Sequence, residues 1–310
     1  MTFTAKDVAS LRQKTGAGMM ECKAALTESN GNLEKASEIL RQKGLVAAAK
    51  KTEKLVLEGV VAGKIQENKK AGVILELNTQ TDFVAKNEKF IDLSKQLLEV
   101  ILKFKPQTTE QVLSLKINNS PISEVISGNI AVIGENIQLR RFEMLDLKNE
   151  PGLVGIYIHP VGNKIGVLVK LSTNKEPAST VELEELARNL AMHIAAAQPQ
   201  PEFIDRSSIP QKVIENEKRI ELGKEDISKK PKEIAEKIVQ GRLDKILAQK
   251  CLLEQPYIKD PNLTIDKLIK EKSKALGIDI KVSQFVRYNV GETQEKDSQQ
   301  NSEKETAIIS

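Results

Sequence analysis

A chain of 310 residues with 40% hydrophobic and 29% charged residues has the make-up of an ordinary globular protein. It is long for a single core, so two or three domains are expected. Its 47 Lys and Arg against 43 Asp and Glu leave a net charge of +4, too balanced for a protein whose main task is to hold phosphate backbones, and a protein-binding surface is expected instead.

Aromatic residues make up 3% and Trp is absent, so the cores must be built from Leu, Ile, Val and Ala. Cys22 and Cys251 have neither disulfide-framework nor metal-ligand spacing, which suits a reducing compartment. No apolar run approaches the roughly 18 residues that span a bilayer. The opening MTFTAKDVAS has neither signal nor transit character, so a cytoplasmic location is expected.

Residues 1–54 read as three short helices and a Lys-rich linker. Thr4 can cap the first helix, with Asp7 as the partner of a capping box. TGAG (15–18) breaks it and MMECKAALTES starts the second. Asn32 caps the third, LEKASEILRQK, which is expected to end at Gly44. VLEGVVAGKIQ and AGVILELNT then read as a β-hairpin, followed by a helix over about 83–104 with Phe90, Leu93, Leu97 and Ile101 on one stripe. A short helix is expected near 109–117, then strands in IQLRRFEMLDL, GLVGIYIH and KIGVLVKLST, and a helix in VELEELARNLAMHIAAA. Two charged amphipathic helices fill 199–250, and TIDKLIKEKSKALG and IKVSQFVRYNVG give a last helix and strand. ETQEKDSQQNSEKETAIIS, within 291–310, reads as a disordered polar tail.

Little of this suggests catalysis. His159 and His193 have no neighbouring acid, nucleophile or metal-ligand spacing, and His193 reads as a packed helix residue. His159 precedes the turn PVGN, where side chains reach outward. TGAGMMECK lacks the spacing of a phosphate loop and reads as a helix joint. Met19 and Met20 cannot both face a small core, so one should be exposed, either as part of a docking surface or simply in solvent while the other fills a gap. Phe83 lies seven residues before Phe90 and could extend the core stripe, yet it falls in a first helical turn behind a cap at Thr81 or Asp82. Periodicity leaves both readings open.

LRQKTGAGMMECKAAL (11–26) and TDFVAKNEKF (81–90), with IGENIQLRR, AMHIAAA and KPKEIAEKIVQGR behind them, resemble bacterial elongation factor Ts in order and over nearly the whole chain. The resemblance implies a guanine-nucleotide exchange factor for elongation factor Tu, with no catalytic residue, cofactor or metal of its own. The implied fold is α+β: a ubiquitin-associated-like three-helix module (1–54), a first antiparallel-sheet subdomain (55–146), a second (147–198 and 247–290) and an inserted helical hairpin (199–246). By position, Leu11, Arg12, Met19 and Met20 would meet the partner's GTPase domain. Asp82 would cap and aim Phe83, which would wedge near the partner's magnesium site. His159, Met192 and His193 would touch a further partner domain, and the hairpin would support self-association. The turn PVGNKIG departs from the more Gly-rich turn of the family. An alternative from the residues alone is a translation-associated RNA-binding protein using Lys50, Lys51 and Lys54, although a basic face with interleaved aromatics is missing.

Overall fold

In AGVILELNT every residue is buried, because both faces of the strand are covered. A computed structural model of the chain describes residues 3–49, 51, 54–228 and 230–292. It opens with helices α1 (Ala5–Thr15), α2 (Met19–Glu28) and α3 (Leu33–Ala49). Strands β1 (Glu58–Ile65) and β2 (Ala71–Thr79) follow, then α4 (Asp82–Ala85), α5 (Glu88–Phe104) and α6 (Thr109–Ser114). The small strands β3 (Lys116–Ile117) and β4 (Ser120–Pro121) lead into α7 (Ile122–Ile133) and β5 (Ile137–Asp146). Next come β6 (Gly152–Ile158), β7 (Ile165–Thr173) and α8 (Val181–Ala196). Helices α9 (Gln211–Leu222), α10 (Glu225–Ser228) and α11 (Lys232–Lys250) form the hairpin. The chain then returns through β8 (Pro256–Tyr257), β9 (Asp260–Thr264), α12 (Ile265–Leu276) and β10 (Ile280–Asn289).

The fold is α+β, with two antiparallel three-stranded sheets, β1-β2-β5 and β10-β7-β6. Their side chains alternate between two cores, as the period of a strand requires. Val73, Leu75 and Leu77 of β2 face α5 and α7, while Ile74 points to the second sheet. Likewise Val167, Val169 and Leu171 of β7 face α8 and α12, while Leu168 points back to Ile74. The result is helix, sheet, sheet, helix. Gly166 lets the sheets close up, since a Cβ there would lie 2.5 Å from Val61 Cγ1.

Gly155 does the same between β6 and α8. A Cβ on it would sit 2.4 Å from Ala187 Cβ and 3.2 Å from the Ala187 carbonyl carbon, so the helix backbone itself is in the way. A Gly155→Ala variant is expected to lose about 1–3 kcal/mol by overpacking. Urea unfolding checks it, and an unchanged midpoint would mean that α8 can slide.

At the N-terminus, Thr4 and Asp7 form the expected capping box, and the Asn32 Oδ1 accepts the Lys35 N–H at 2.9 Å. Val8, Leu11, Cys22, Ala25, Leu26 and Ala36 make the small core of this three-helix unit. Two expectations fail nearby. Helix α3 does not stop at Gly44 but runs to Ala49, because Gly44 lies against Ala131 of α7 and the helix-favouring LVAAA continues the turn. Residues 118–136, which the sequence pattern left unassigned, hold α7; Ile122, Ile126 and Ile130 form its buried stripe, one turn apart. Its Ile, Val and Gly content obscures the helix. Lys50 and residues 293–310, including nearly all of the polar tail, lie outside the described residues.

The hairpin helices α9 and α11 pack through Ile209, Leu243, Leu247 and Cys251 near the root, and through Ile227, Ala235 and Val239 farther out. At the root, Arg206 forks onto Glu254, with Nε donating to Oε1 at 2.6 Å and Nη2 to Oε2 at 2.8 Å. The bidentate geometry holds hairpin and core together.

Candidate functional site

The helix expected over 83–104 is broken. Asn87 caps α5, its Oδ1 accepting the Lys89 N–H at 2.9 Å, and α4 is a separate turn in front of it. The break rotates Phe83 off the stripe that Phe90 begins. Phe90 is 0% exposed and Phe83 81%.

The mount beneath Phe83 is firm. Thr81, not Asp82, is the N-cap, accepting the Val84 N–H at 3.4 Å. Glu135, from the IGEN stretch, locks the corner: it accepts from Thr79 Oγ1 at 3.0 Å, the Thr81 N–H at 3.0 Å and Thr81 Oγ1 at 2.7 Å. Asp82 is the first residue of α4, and Lys86 Nζ donates to its carboxylate at 2.7 Å. The hydrogen bond from Lys86 holds the Asp82 carboxyl below its ordinary range, with smaller help from the charge of Lys164. Sequence reasoning missed Glu135 because its partners lie 54 and 56 residues away.

Arg12 and Met19 share a recess with Gly16 and Lys89, so the three-helix unit meets the core at the start of α5, six residues past Phe83. Met19 and Met20 both stand exposed at the start of α2, where the Glu21 carboxylate accepts the Gly18 N–H at 3.0 Å. Leu11 is different: at 1% exposure it belongs to the core of the unit, held inward by α2. His159 is half-buried at the end of β6, its Nδ1 2.9 Å from Tyr157 Oη. Met192 is half-buried.

His193 is buried among α8, Gln255 and Tyr257. Its Nδ1 accepts the Ile258 N–H at 3.3 Å, so Nε2 carries the proton toward Gln255 Oε1 at 3.0 Å. Gln255 in turn donates to the carbonyls of Pro199 at 2.9 Å and Gln249 at 2.6 Å, which clasps the two ends of the hairpin to α8. Burial lowers the His193 pKa from its ordinary 6.5. The unfolded chain therefore binds this proton more readily, and stability falls as pH drops below 6.5. Urea midpoints should decline more steeply below that pH in the parent than in a His193→Gln variant; parallel declines would contradict a buried neutral ring.

Phe83, Met19 and Met20 are apolar side chains displayed on capped, hydrogen-bonded mounts, and among the described residues no group of three or more His, Cys, Asp or Glu could hold a metal ion. Apolar side chains on firm mounts are of the kind that docking surfaces carry. The sequence model of the family described as Elongation factor TS matches residues 80–292. An elongation factor Ts of Nostoc sp. is 44% identical over 301 residues, covering 95% of this chain and 94% of that relative. Those of Syntrophotalea carbinolica and one Clostridium botulinum strain are each 45% identical, over 300 and 295 residues, covering 96% and 95% of both chains. The chain belongs to the elongation factor Ts family and is a translation elongation factor. Among the described residues no helix is long and apolar enough to cross a membrane.

Proposed function

We propose that the protein binds elongation factor Tu in its GDP-bound state and promotes release of GDP, so that GTP can rebind. Phe83 inserts beside the partner's magnesium and nucleotide site. The supporting observation is an 81%-exposed phenylalanine on a corner that Thr81 and Glu135 keep rigid. Arg12, Met19 and Met20 dock on the GTPase domain, and His159 and Met192 contact a further domain of the partner. Leu11 and His193 act by holding their helices in place.

The exchange needs no acid, base or cofactor from this chain. A factor that binds the nucleotide-free GTPase more tightly than the GDP form must weaken GDP by the same ratio. Amides and Mg²⁺ grip the diphosphate, and an aromatic that displaces the elements carrying them loosens both. We further propose that the chain works in the bacterial cytosol, that segments 1–54, 55–146, 147–198 with 247–290, and 199–246 act as its functional units, and that the hairpin carries self-association. Ile220, Leu222 and Ile234, exposed near its tip, favour the last of these.

Calorimetric titration into the nucleotide-free and the GDP-loaded GTPase tests the exchange reading. The affinities should differ by orders of magnitude in favour of the nucleotide-free form. Equal affinities would overturn it, because linkage would then leave GDP binding untouched.

A further inference from the structure

The two sheets finish at a common end. There Glu58 pairs with Thr79 and Thr79 with Ile137 in one sheet, while Gly166 pairs with Ile158 and Ile165 with Asn289 in the other. Hydrogen bonds knit the two together: Val61 N–H to Asn163 O at 2.7 Å and Lys164 Nζ to Gly59 O at 2.9 Å. Lys164 also pairs with Glu58.

Large apolar side chains collect on this end. Leu55 is 79% and Leu57 56% exposed, flanking the inward Val56 as they run into β1. Val161 is 74% exposed in the turn between β6 and β7, and Phe83 follows β2 directly. The β1–β2 register sets Leu57 beside the β2–α4 corner that carries Phe83, and the Leu57 carbonyl lies 3.3 Å from where a Cβ on Gly291 would be. Lys164, three residues beyond Val161, bonds to Glu58 and to the Gly59 carbonyl, which holds the Val161 turn against the start of β1 just after Leu57. Three separate segments thus bring four open apolar residues to one locus. Single exposed apolar residues need no explanation, whereas a grouped set marks a contact surface.

We propose that Leu55, Leu57 and Val161 extend the Phe83 contact into one apolar docking face, and that its occupant is the same GTPase, through an apolar helix surface next to its nucleotide site. The inference rests on the exchange reading above. The charges bordering the face argue for that occupant. Asp82 is paired with Lys86 and Glu58 with Lys164, and Lys54 adds one cation at the rim. A largely self-neutralised border offers little to phosphate backbones or an anionic lipid surface, and suits an apolar protein surface. Three anchors around Phe83 would also exclude water from the wedge, as neutral contacts do around a hot spot.

The test uses the full chain and a triple variant, Leu55→Ser, Leu57→Ser and Val161→Ser. The measurements are affinity for the nucleotide-free GTPase and the rate of GDP release. The substituted side chains are exposed, so thermal melting should not change. Expected is a loss of affinity of roughly tenfold or more. The loss should persist in high salt, because the lost contacts are apolar. If the parent accelerates GDP release and the variant binds equally well, the face is overturned while the exchange reading stands. If the parent itself neither binds nor accelerates, the exchange reading fails and the face falls with it. Parent self-association that the variant abolishes, with GTPase affinity unchanged, would assign the face to a second copy and likewise overturn the proposal.

Discussion

An Arg141→Met variant is expected to lose about 3–5 kcal/mol of stability, the usual consequence of leaving a buried charge without its partner. Glu76, in the middle of β2, is 0% exposed. Its Oε2 accepts from Arg141 Nε at 2.7 Å, and its Oε1 accepts from the Gly291 N–H at 2.8 Å and from Asn78 Nδ2 at 3.1 Å. Arg141 also donates through Nη2 to Asn289 O at 3.2 Å, and its guanidinium lies 4.0 Å from the Tyr288 ring centre. One side chain thus neutralises a core carboxylate and ties the end of β10 to the first sheet. Methionine would keep the stem and remove both services. The double variant Glu76→Leu with Arg141→Met should recover much of the loss, since an apolar pair needs no desolvated charge. Urea unfolding of the parent, both single variants and the double gives the coupling directly. A single-variant loss below about 1 kcal/mol would mean that water reaches Glu76 and screens it.

Much of the local structure is legible in the sequence where a short-range physical signal exists. Thr4 with Asp7 and Asn32 before LEKAS are caps whose partners lie within three residues, and both hold. The stripe Phe90, Leu93, Leu97 and Ile101 is legible because α5 lies on one sheet face. Long-range packing decides the remainder. Gly44 looked like a helix stop, but the close approach of α7 keeps the helix going. The span 118–136 has β-branched residues and a glycine, yet Ile122, Ile126 and Ile130 need a helix to reach the sheet together.

The candidate site divides in the same way. Met19, Met20 and Phe83 are all exposed, where the sequence pattern expected one open methionine and left Phe83 undecided. The heptad spacing to Phe90 misled, because Asn87 restarts the helix and resets its phase. Assigning the cap to Asp82 failed for a related reason: Thr81 sits one residue earlier, where Glu135 reaches back to hold it. No local pattern reveals Glu135 or Lys164, since their partners come from other strands.

Phe83→Ala should have the largest effect on function. The side chain is 81% exposed and borders no core, so the variant should fold and melt like the parent. Burying one phenylalanine against a partner is worth about 1.5–3 kcal/mol. If that energy is realised only when the partner's nucleotide site is open, its loss slows GDP release by roughly one to two decades. The rest of the acceleration comes from the three-helix unit and the second sheet, so the variant should retain part of it and still form the complex.

The most direct measurement is the rate at which fluorescent GDP leaves elongation factor Tu alone, with this protein, and with its Phe83→Ala variant, at concentrations where complex formation is saturated. The account predicts a large acceleration by the parent and a loss of about one to two decades in the variant. Acceleration by the variant equal to that of the parent would contradict the wedge at Phe83, and no acceleration by the parent would contradict nucleotide exchange itself.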